Sequence, residues 1–426
     1  MLSGMKQNLL IGLWLILSMV SVFAQDEALI GNYQLDNNQT ISIAKFEFST
    51  DFKPLIFTNF TTGRLGIITS DGSDKFVSGV GLLVNEPIDV RINFTRNKDG
   101  KVAGVSYQEG TSSTINGKKI EHKSKEINIQ NGEAKLSGTL LIPNSKGKHP
   151  AIILLHGSGS LSRTSFGPFP YFFLSQGFAV LIYDKRGAGL SEPKDKRATL
   201  AEMRSDAIAG INFLKKRKDI SKIGLWGTSQ GGYLAGLVAS KNKDVGFVIN
   251  QSGMAVTAAE QDVYRVQSEM KADNFTDTEI AEAVEFTKLQ LEVGSTGENW
   301  QELEKLSQKY KDRSWLDYVY TPASLNEVKK VWQTDFGIDA TNSYKDVKCP
   351  VLALFGGLDT STPVDATIAN IKKNLINNKN LQIVTFPKAN HSFLEGETGG
   401  KSELPKTKRF VPDLFVEMEK WLRKFK

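Results

Sequence analysis

The amino-acid sequence predicts an α/β protein, in which a doubly wound, mostly parallel sheet carries a helical cap insertion and follows a small all-β domain. Three observations lead to this prediction. Short alternating strand patterns come first, continuous apolar runs separated by helical patterns come next, and one interval among those runs holds helical patterns only. The predicted units are residues 25–120, residues 121–426 and, inside the second unit, an insertion at about residues 253–345.

The first 24 residues have the pattern of a secretory signal peptide. Lys6 is followed by an apolar run over residues 9–20, and the small-residue end Val22-Phe23-Ala24 comes soon after. The run is shorter than the roughly 20 residues that a membrane span needs, so cleavage before Gln25 is favoured over an uncleaved anchor. We expect an exported protein, periplasmic or secreted, with no stable membrane span after cleavage.

Charge and cysteine content exclude several kinds of protein. The formal net charge of the 426-residue chain is +6, and the basic run at residues 215–218 falls at a predicted helix end, where cations suit the helix dipole. A nucleic-acid partner is therefore not expected. The single cysteine, Cys349, excludes an internal disulfide framework and, before an apolar strand, predicts a buried structural thiol. No metal and no cofactor is expected, and the oligomeric state is left open.

The first unit predicts short antiparallel strands in a small barrel or sandwich. It is rich in β-branched and aromatic residues and is broken by turn pairs such as Asp71-Gly72. A polar stretch, residues 110–119, then predicts a linker. This unit carries no catalytic cluster, so three roles stay open: shielding an active site, binding a glycan or partner, and supporting folding.

The second unit predicts a parallel sheet covered on both faces, because its strands are continuous apolar runs. The runs are residues 151–155, 178–183, 223–226, 247–250, 351–355 and 381–386. Capping boxes begin two predicted helices, at Thr199 and at Thr276. The aromatic residues of the insertion are expected to pack its own core more often than to line a pocket; they are Trp300, Trp315, Tyr318, Tyr320 and Trp332.

Ser229 is the candidate nucleophile. It is the centre of a G-x-S-x-G pattern, Gly227-Thr228-Ser229-Gln230-Gly231. By itself this pattern is weak, because in a glycine-rich chain Ser229 can be a helix N-cap. An apolar strand enters the pattern and a helix-compatible segment leaves it, which is the context of a nucleophile elbow, where a sharp turn presents the hydroxyl. The sequence therefore favours a catalytic role.

A serine hydroxyl needs a base, and the chain offers four histidines. His122 and His149 are expected at the surface, and His156 is expected to brace a loop. His391 lies in a loop after the last strand and is the predicted base. Its orienting carboxylate should lie between serine and histidine in the chain, after the strand that follows the insertion. Asp359 has that position, whereas the competing Asp365 falls at a helix start, where a carboxylate is expected for the helix dipole alone.

The oxyanion of an acyl-transfer intermediate needs two N–H donors. For this fold they are the residue after the nucleophile and a residue in the loop after an early strand, which predicts the backbone N–H groups of Gln230 and Ser158.

Five segments together resemble the α/β-hydrolases, most closely bacterial esterases and prolyl-oligopeptidase-like serine hydrolases. They are His156-Gly157-Ser158-Gly159, Tyr183-Asp184-Lys185-Arg186-Gly187-x-Gly189-x-Ser191, Gly227-x-Ser229-x-Gly231-Gly232, Gly356-x-x-Asp359 and Asn390-His391. The resemblance covers about residues 122–426 and implies that the second of these segments is mainly a structural turn. The first unit does not resemble the β-propeller that commonly precedes prolyl oligopeptidases, which disfavours a peptidase.

The sequence thus predicts a serine hydrolase that cleaves carboxylic esters of a small-molecule or acylated substrate through a Ser-His-Asp triad. A peptidase or acylaminoacyl-type hydrolase is the alternative enzyme. An inactive exported binding module is the alternative of another class, and the presence of all three triad residue types in the expected order argues against it.

Overall fold

The computed structural model of the protein describes residues 27–194 and 197–426. The predicted signal peptide, residues 1–24, lies outside the described residues. Within the described ranges, no helix combines the length and the apolar character needed to cross a membrane. The described strands fall into two sheets, of which the first ends at Ile120 and the second begins at His122.

In the described part of the chain, nine strands form the first sheet, an antiparallel meander in the order β4-β3-β2-β1-β9-β8-β7-β6-β5. Their bounds are β1 Gly31–Leu35, β2 Thr40–Lys45, β3 Leu55–Asn59, β4 Leu65–Ile67, β5 Thr69–Ser70, β6 Lys75–Gly81, β7 Val84–Arg96, β8 Val102–Glu109 and β9 Ile115–Ile120. The edge strand β4 approaches β6, which lies next to the opposite edge, since a Cβ placed on Gly66 of β4 would lie 2.2 Å from Ser78 Oγ of β6. The sheet is therefore curled like a barrel around its own apolar core.

The predicted linker at residues 110–119 was wrong over its second half. Residues Ile115–Ile120 form strand β9, which pairs with both β1 and β8. This strand lacks an apolar face, because its side chains alternate between exposed and half-buried positions. Its backbone hydrogen bonds close the meander, and the residue pattern alone does not reveal them.

The second sheet has eight strands among the described residues, in the order β10-β11-β13-β12-β14-β15-β16-β17. They are β10 His122–Asn131, β11 Ala134–Pro143, β12 His149–Leu155, β13 Ala179–Tyr183, β14 Ile220–Thr228, β15 Val245–Gln251, β16 Val351–Gly356 and β17 Leu381–Phe386. The hairpin β10–β11 pairs antiparallel with β13, and the strands from β12 to β17 are parallel. The predicted mostly parallel, doubly wound sheet is confirmed.

Helices cover this sheet and form the insertion. Their bounds are α1 Phe169–Ser175, α2 Leu200–Lys215, α3 Gln230–Ala239, α4 Ala258–Ala272, α5 Asp277–Thr296, α6 Trp300–Tyr310, α7 Leu325–Val331, α8 Val364–Asn374 and α9 Leu414–Leu422. Helices α4 to α7 lie between β15 and β16 and share a core of their own, in which Trp315 is fully buried. The helical cap insertion is thereby confirmed, and the predicted capping boxes at Thr199 and Thr276 begin α2 and α5.

The first domain docks directly on the second through a shared apolar core. Ile56, Leu65 and Leu82 of the first domain belong to the same cluster as Phe169 and Phe410 of the second. Backbone hydrogen bonds cross the contact as well: Leu65 N donates to the Lys408 carbonyl at 3.0 Å, and Leu82 N donates to the Thr407 carbonyl at 2.7 Å. Apolar packing and backbone hydrogen bonds therefore hold the two domains together.

A buried ion pair holds the loop after β12. The Arg163 guanidinium donates to both carboxylate oxygens of Asp184 at 3.0 Å and to Thr139 Oγ1 of β11 at 2.8 Å. Burial raises the pKa of Asp184, but the hydrogen bonds from Arg163 outweigh burial and lower the pKa below its ordinary value. The carboxyl therefore stays ionised. Arg163 thus ties the loop to the start of the sheet.

We expect Arg163→Met to lower the free energy of unfolding by about 3 kcal/mol, because it leaves the 2 % exposed Asp184 carboxylate without its cation. Arg423→Met is the matched control, since Arg423 pairs with Glu419 on an exposed helix surface where such pairs contribute little. Urea unfolding followed by circular dichroism measures both. Equal stability of the two variants would show that the buried pair contributes no more than the exposed one.

Candidate active site

Ser229 lies on a sharp turn between β14 and α3, as predicted for a nucleophile elbow. Its backbone has φ +52° and ψ −118°, a strained conformation for a residue with a side chain. The turn needs its glycines: a Cβ on Gly227 would lie 2.0 Å from the Gly231 carbonyl oxygen, and a Cβ on Gly231 would lie 2.1 Å from that of Leu155. Close backbone approach on both sides therefore shapes the turn that carries Ser229.

His391 and Asp359 are in direct contact. His391 Nδ1 lies 2.9 Å from each carboxylate oxygen of Asp359, which is 3 % exposed. The backbone N–H groups of Ser361 and Thr362 donate to Asp359 Oδ1 at 2.8 Å and hold the carboxylate in place. Burial lowers the pKa of His391, but the charge and hydrogen bond of Asp359 outweigh burial and raise it above its ordinary value.

The competing carboxylate, Asp365, lies in the first turn of α8, the position that the helix dipole favours. His156 is buried against the Phe166 ring, with ring centroids 4.1 Å apart, and burial lowers its pKa to about 3, so that it is a neutral packing residue. His149 is 7 % exposed, so the expectation of a surface position was wrong. It begins β12 at the centre of the sheet, and the polar residue type hid that burial.

The loop after β12 runs beside Ser229. A Cβ placed on Gly157 would lie 3.6 Å from Ser229 Cβ, which brings the following peptide, with the Ser158 N–H, close to the turn. Gln230 is the first residue of α3, so its N–H is among those that the helix leaves without a helical acceptor. Both predicted oxyanion donors thus lie on segments that border Ser229.

Lys185 is a site residue that the sequence pattern did not reveal. Its buried ammonium donates to the Gly157 carbonyl at 2.9 Å and to Gln230 Oε1 at 2.5 Å. The Gly157 carbonyl belongs to the same peptide unit as the Ser158 N–H, so Lys185 fixes the orientation of that unit. Burial lowers the pKa of Lys185 to about 7. The only available signal was its place in a segment interpreted as a structural turn.

Among the described residues, two cavities of similar volume open beside Ser229, His391 and Ser158. The first measures about 430 Å³, extends towards the first domain and is lined mainly by apolar side chains, among them Phe48 and Trp226. The second measures about 440 Å³ and lies under the insertion, where charged residues such as Asp262 line it. Tyr320 also lines the second cavity, so one of the insertion's aromatic residues reaches the site.

The predicted catalytic and oxyanion residues therefore differ in how closely they border the two cavities. Ser229, His391 and Ser158 border both cavities, Gln230 borders the second, and Asp359 lies behind His391. Cys349 is half-buried rather than fully buried, at the edge of the core beneath the sheet. No cluster of three or more potential metal ligands occurs in the described ranges.

The chain is similar in sequence to known proteins. The chain is 27% identical to esterase EstD of Thermotoga maritima over 349 residues, which are 78% of this chain and 76% of that protein. It is 28% identical to an uncharacterized 31.7 kDa protein of Escherichia coli over 53% of this chain and 78% of the relative. A solved esterase of Pyrococcus furiosus matches with a TM-score of 0.47 and 20% identity, over 72% of this chain and 92% of that one. Residues 150–398, more than half of the chain, match the α/β hydrolase fold family, and the protein belongs to that family.

Proposed function

We propose that this protein is a serine hydrolase that cleaves carboxylic esters through an acyl-enzyme. The observation that carries the proposal is the arrangement of Ser229 on a strained turn, in the same cavities as His391, whose Nδ1 contacts the buried Asp359. The similarity over most of the chain to an esterase supports the ester as the bond cleaved.

In the proposed reaction, Ser229 Oγ attacks the acyl carbon while His391 Nε2 takes its proton. The tetrahedral intermediate collapses when His391 returns that proton to the leaving alkoxide, which departs as the alcohol. Water then attacks the acyl-enzyme, His391 again takes and returns a proton, and the carboxylic acid leaves. Asp359 holds the imidazole with Nδ1–H towards its carboxylate and stabilises the imidazolium that forms twice in the cycle.

The negative oxygen of the intermediate is stabilised in this proposal by the N–H groups of Ser158 and Gln230. Lys185 is a positioning residue here: its ammonium binds the carbonyl of the Gly157–Ser158 peptide and the Gln230 side chain. In its protonated form, Lys185 also polarises that peptide in the sense that strengthens the Ser158 N–H as a donor.

We expect Ser229→Ala to abolish both ester hydrolysis and labelling by a fluorophosphonate probe, because the probe reacts only with an activated serine. Ser158→Ala is the matched control and should retain labelling, since Ser158 acts through its backbone N–H. Gel fluorescence of the two purified variants measures the effect. Labelling of the Ser229→Ala variant at the level of the natural protein would contradict the proposal.

The pH dependence tests the role of Asp359. Ester hydrolysis needs neutral His391, so kcat/KM should rise with pH through the raised pKa of that histidine. Asp359→Asn should lower kcat by about three to four orders of magnitude and move this acid limb to lower pH, because it removes the charge that raises the pKa. Asp365→Asn should leave both unchanged. The reverse pattern would transfer the role to Asp365.

We also propose that the protein is exported, from the signal pattern of its first 24 residues. N-terminal sequencing of the protein recovered from the periplasm or the culture medium should then begin near Gln25. Recovery of the chain from the cytoplasm alone, with Met1 retained, would contradict export.

A further inference from the structure

The apolar cavity beside Ser229 has walls from both domains. On one side lie Phe166, Trp226 and Phe410 of the second domain, and on the other side lie residues of the first domain. The latter come from the loop after β2, from β3 and β4, and from the turn after β6; they are Phe46, Phe48, Ile56, Leu65 and Leu82. The first domain therefore supplies five of the apolar side chains of a chamber that opens at the serine.

The charged group in this wall is already neutralised. Glu47 lines the cavity, but its carboxylate accepts hydrogen bonds from Ser162 N at 3.1 Å and from Thr164 Oγ1 at 3.2 Å, and it pairs with Lys53 at 3.1 Å. A carboxylate with this many partners does not need one from a ligand. The chamber is thus suited to an apolar group and offers a charged group no free counterion among the described lining residues.

The wall is held in place by the domain contact. Leu65 and Leu82 both donate backbone hydrogen bonds to the segment before α9, and a Cβ on Gly63 would lie 2.6 Å from the Phe410 carbonyl oxygen. Such close backbone contact leaves little room for the first domain to shift. The chamber is therefore formed before any ligand binds, which lowers the entropic cost of binding.

The second cavity differs in character. Asp262, which is 6 % exposed, lines it, and its Oδ2 has no hydrogen-bond partner in the structure, while Oδ1 binds Arg265. Such a carboxylate oxygen favours water or a hydroxyl group over a hydrocarbon. The second cavity is therefore the more polar of the two that border Ser229.

The reaction order decides which part of an ester goes to which side. After the first step, the acyl group stays on the serine while the alcohol leaves and water enters. Water enters the polar cavity more readily than the apolar chamber. We propose that the first domain forms the acyl-binding pocket and that the substrates are esters of apolar acids, with the alcohol on the polar side. This inference rests on the proposed ester hydrolysis.

The test compares p-nitrophenyl acetate, butyrate, hexanoate and octanoate. Each methylene buried in the chamber should raise kcat/KM about threefold to fourfold until the chamber is full. Leu82→Trp fills the chamber from the first domain and should lower the octanoate-to-acetate ratio at least tenfold. Leu83→Trp is the matched control, because Leu83 is the next residue, is 41% exposed and does not line the chamber. Its ratio should equal that of the natural protein.

A second variant tests the same wall if Leu82→Trp fails to fold. Phe48→Ala removes a half-buried ring from the chamber wall and should shift the optimum to longer acyl groups. Unchanged acyl-length ratios in Leu82→Trp and Phe48→Ala, each still labelled by the fluorophosphonate, would overturn the inference. So would an effect seen only in acetate esters of increasing alcohol length. Absence of Ser229-dependent hydrolysis of every ester would instead overturn the proposed function.

Discussion

Close backbone contact at the Ser229 turn is the constraint on which the site depends. Strand β14 and helix α3 meet there with Gly227 and Gly231 packed against neighbouring carbonyl groups, so that no larger residue fits. The strain of a positive φ at Ser229 is retained because the parallel strands on either side of β14 fix the residues that enter the turn. The order of the sheet thus places the hydroxyl at the carboxyl edge, where the loops that follow the other strands meet it.

Around this turn, polar contacts orient each neighbouring loop. Asp359 is held by two backbone N–H groups and holds His391, while Lys185 holds the peptide of Gly157. Arg163 and Asp184 anchor the same loop from below. Asp359, Lys185 and Asp184 are buried, and each has several hydrogen bonds, which is the condition under which burial of a charge is tolerated.

The first domain has two roles in this structure. It buries apolar side chains against the second domain, and the same contact forms one wall of the cavity beside Ser229. A barrel whose sequence shows no catalytic cluster thus shapes the cavity beside Ser229. The sequence left three roles open for this domain, and none of them specified a cavity wall. Residues that line a cavity follow no local sequence motif.

Much of the fold was predictable because periodicity and apolar runs report burial directly. The parallel strands, the capping boxes at Thr199 and Thr276 and the strand-turn-helix setting of Ser229 are all local patterns, and the structure confirms them. Strand β9 was not predicted because it has no apolar face and is recognised only by its backbone pairing. His149 escaped because a polar residue type gave no sign of its burial.

By itself, then, the sequence determined the fold class, the order of the candidate triad residues and the loops that carry them. The catalytic roles of Ser229, Asp359 and His391 remain predictions, but the tertiary structure brings Asp359 and His391 into hydrogen-bond contact and places His391 in the same cavities as Ser229. Only the tertiary structure decided that Lys185 braces the loop beside Ser229 and that the first domain walls one cavity. These contacts join residues far apart in the chain, and their partners are selected by packing rather than by any local pattern.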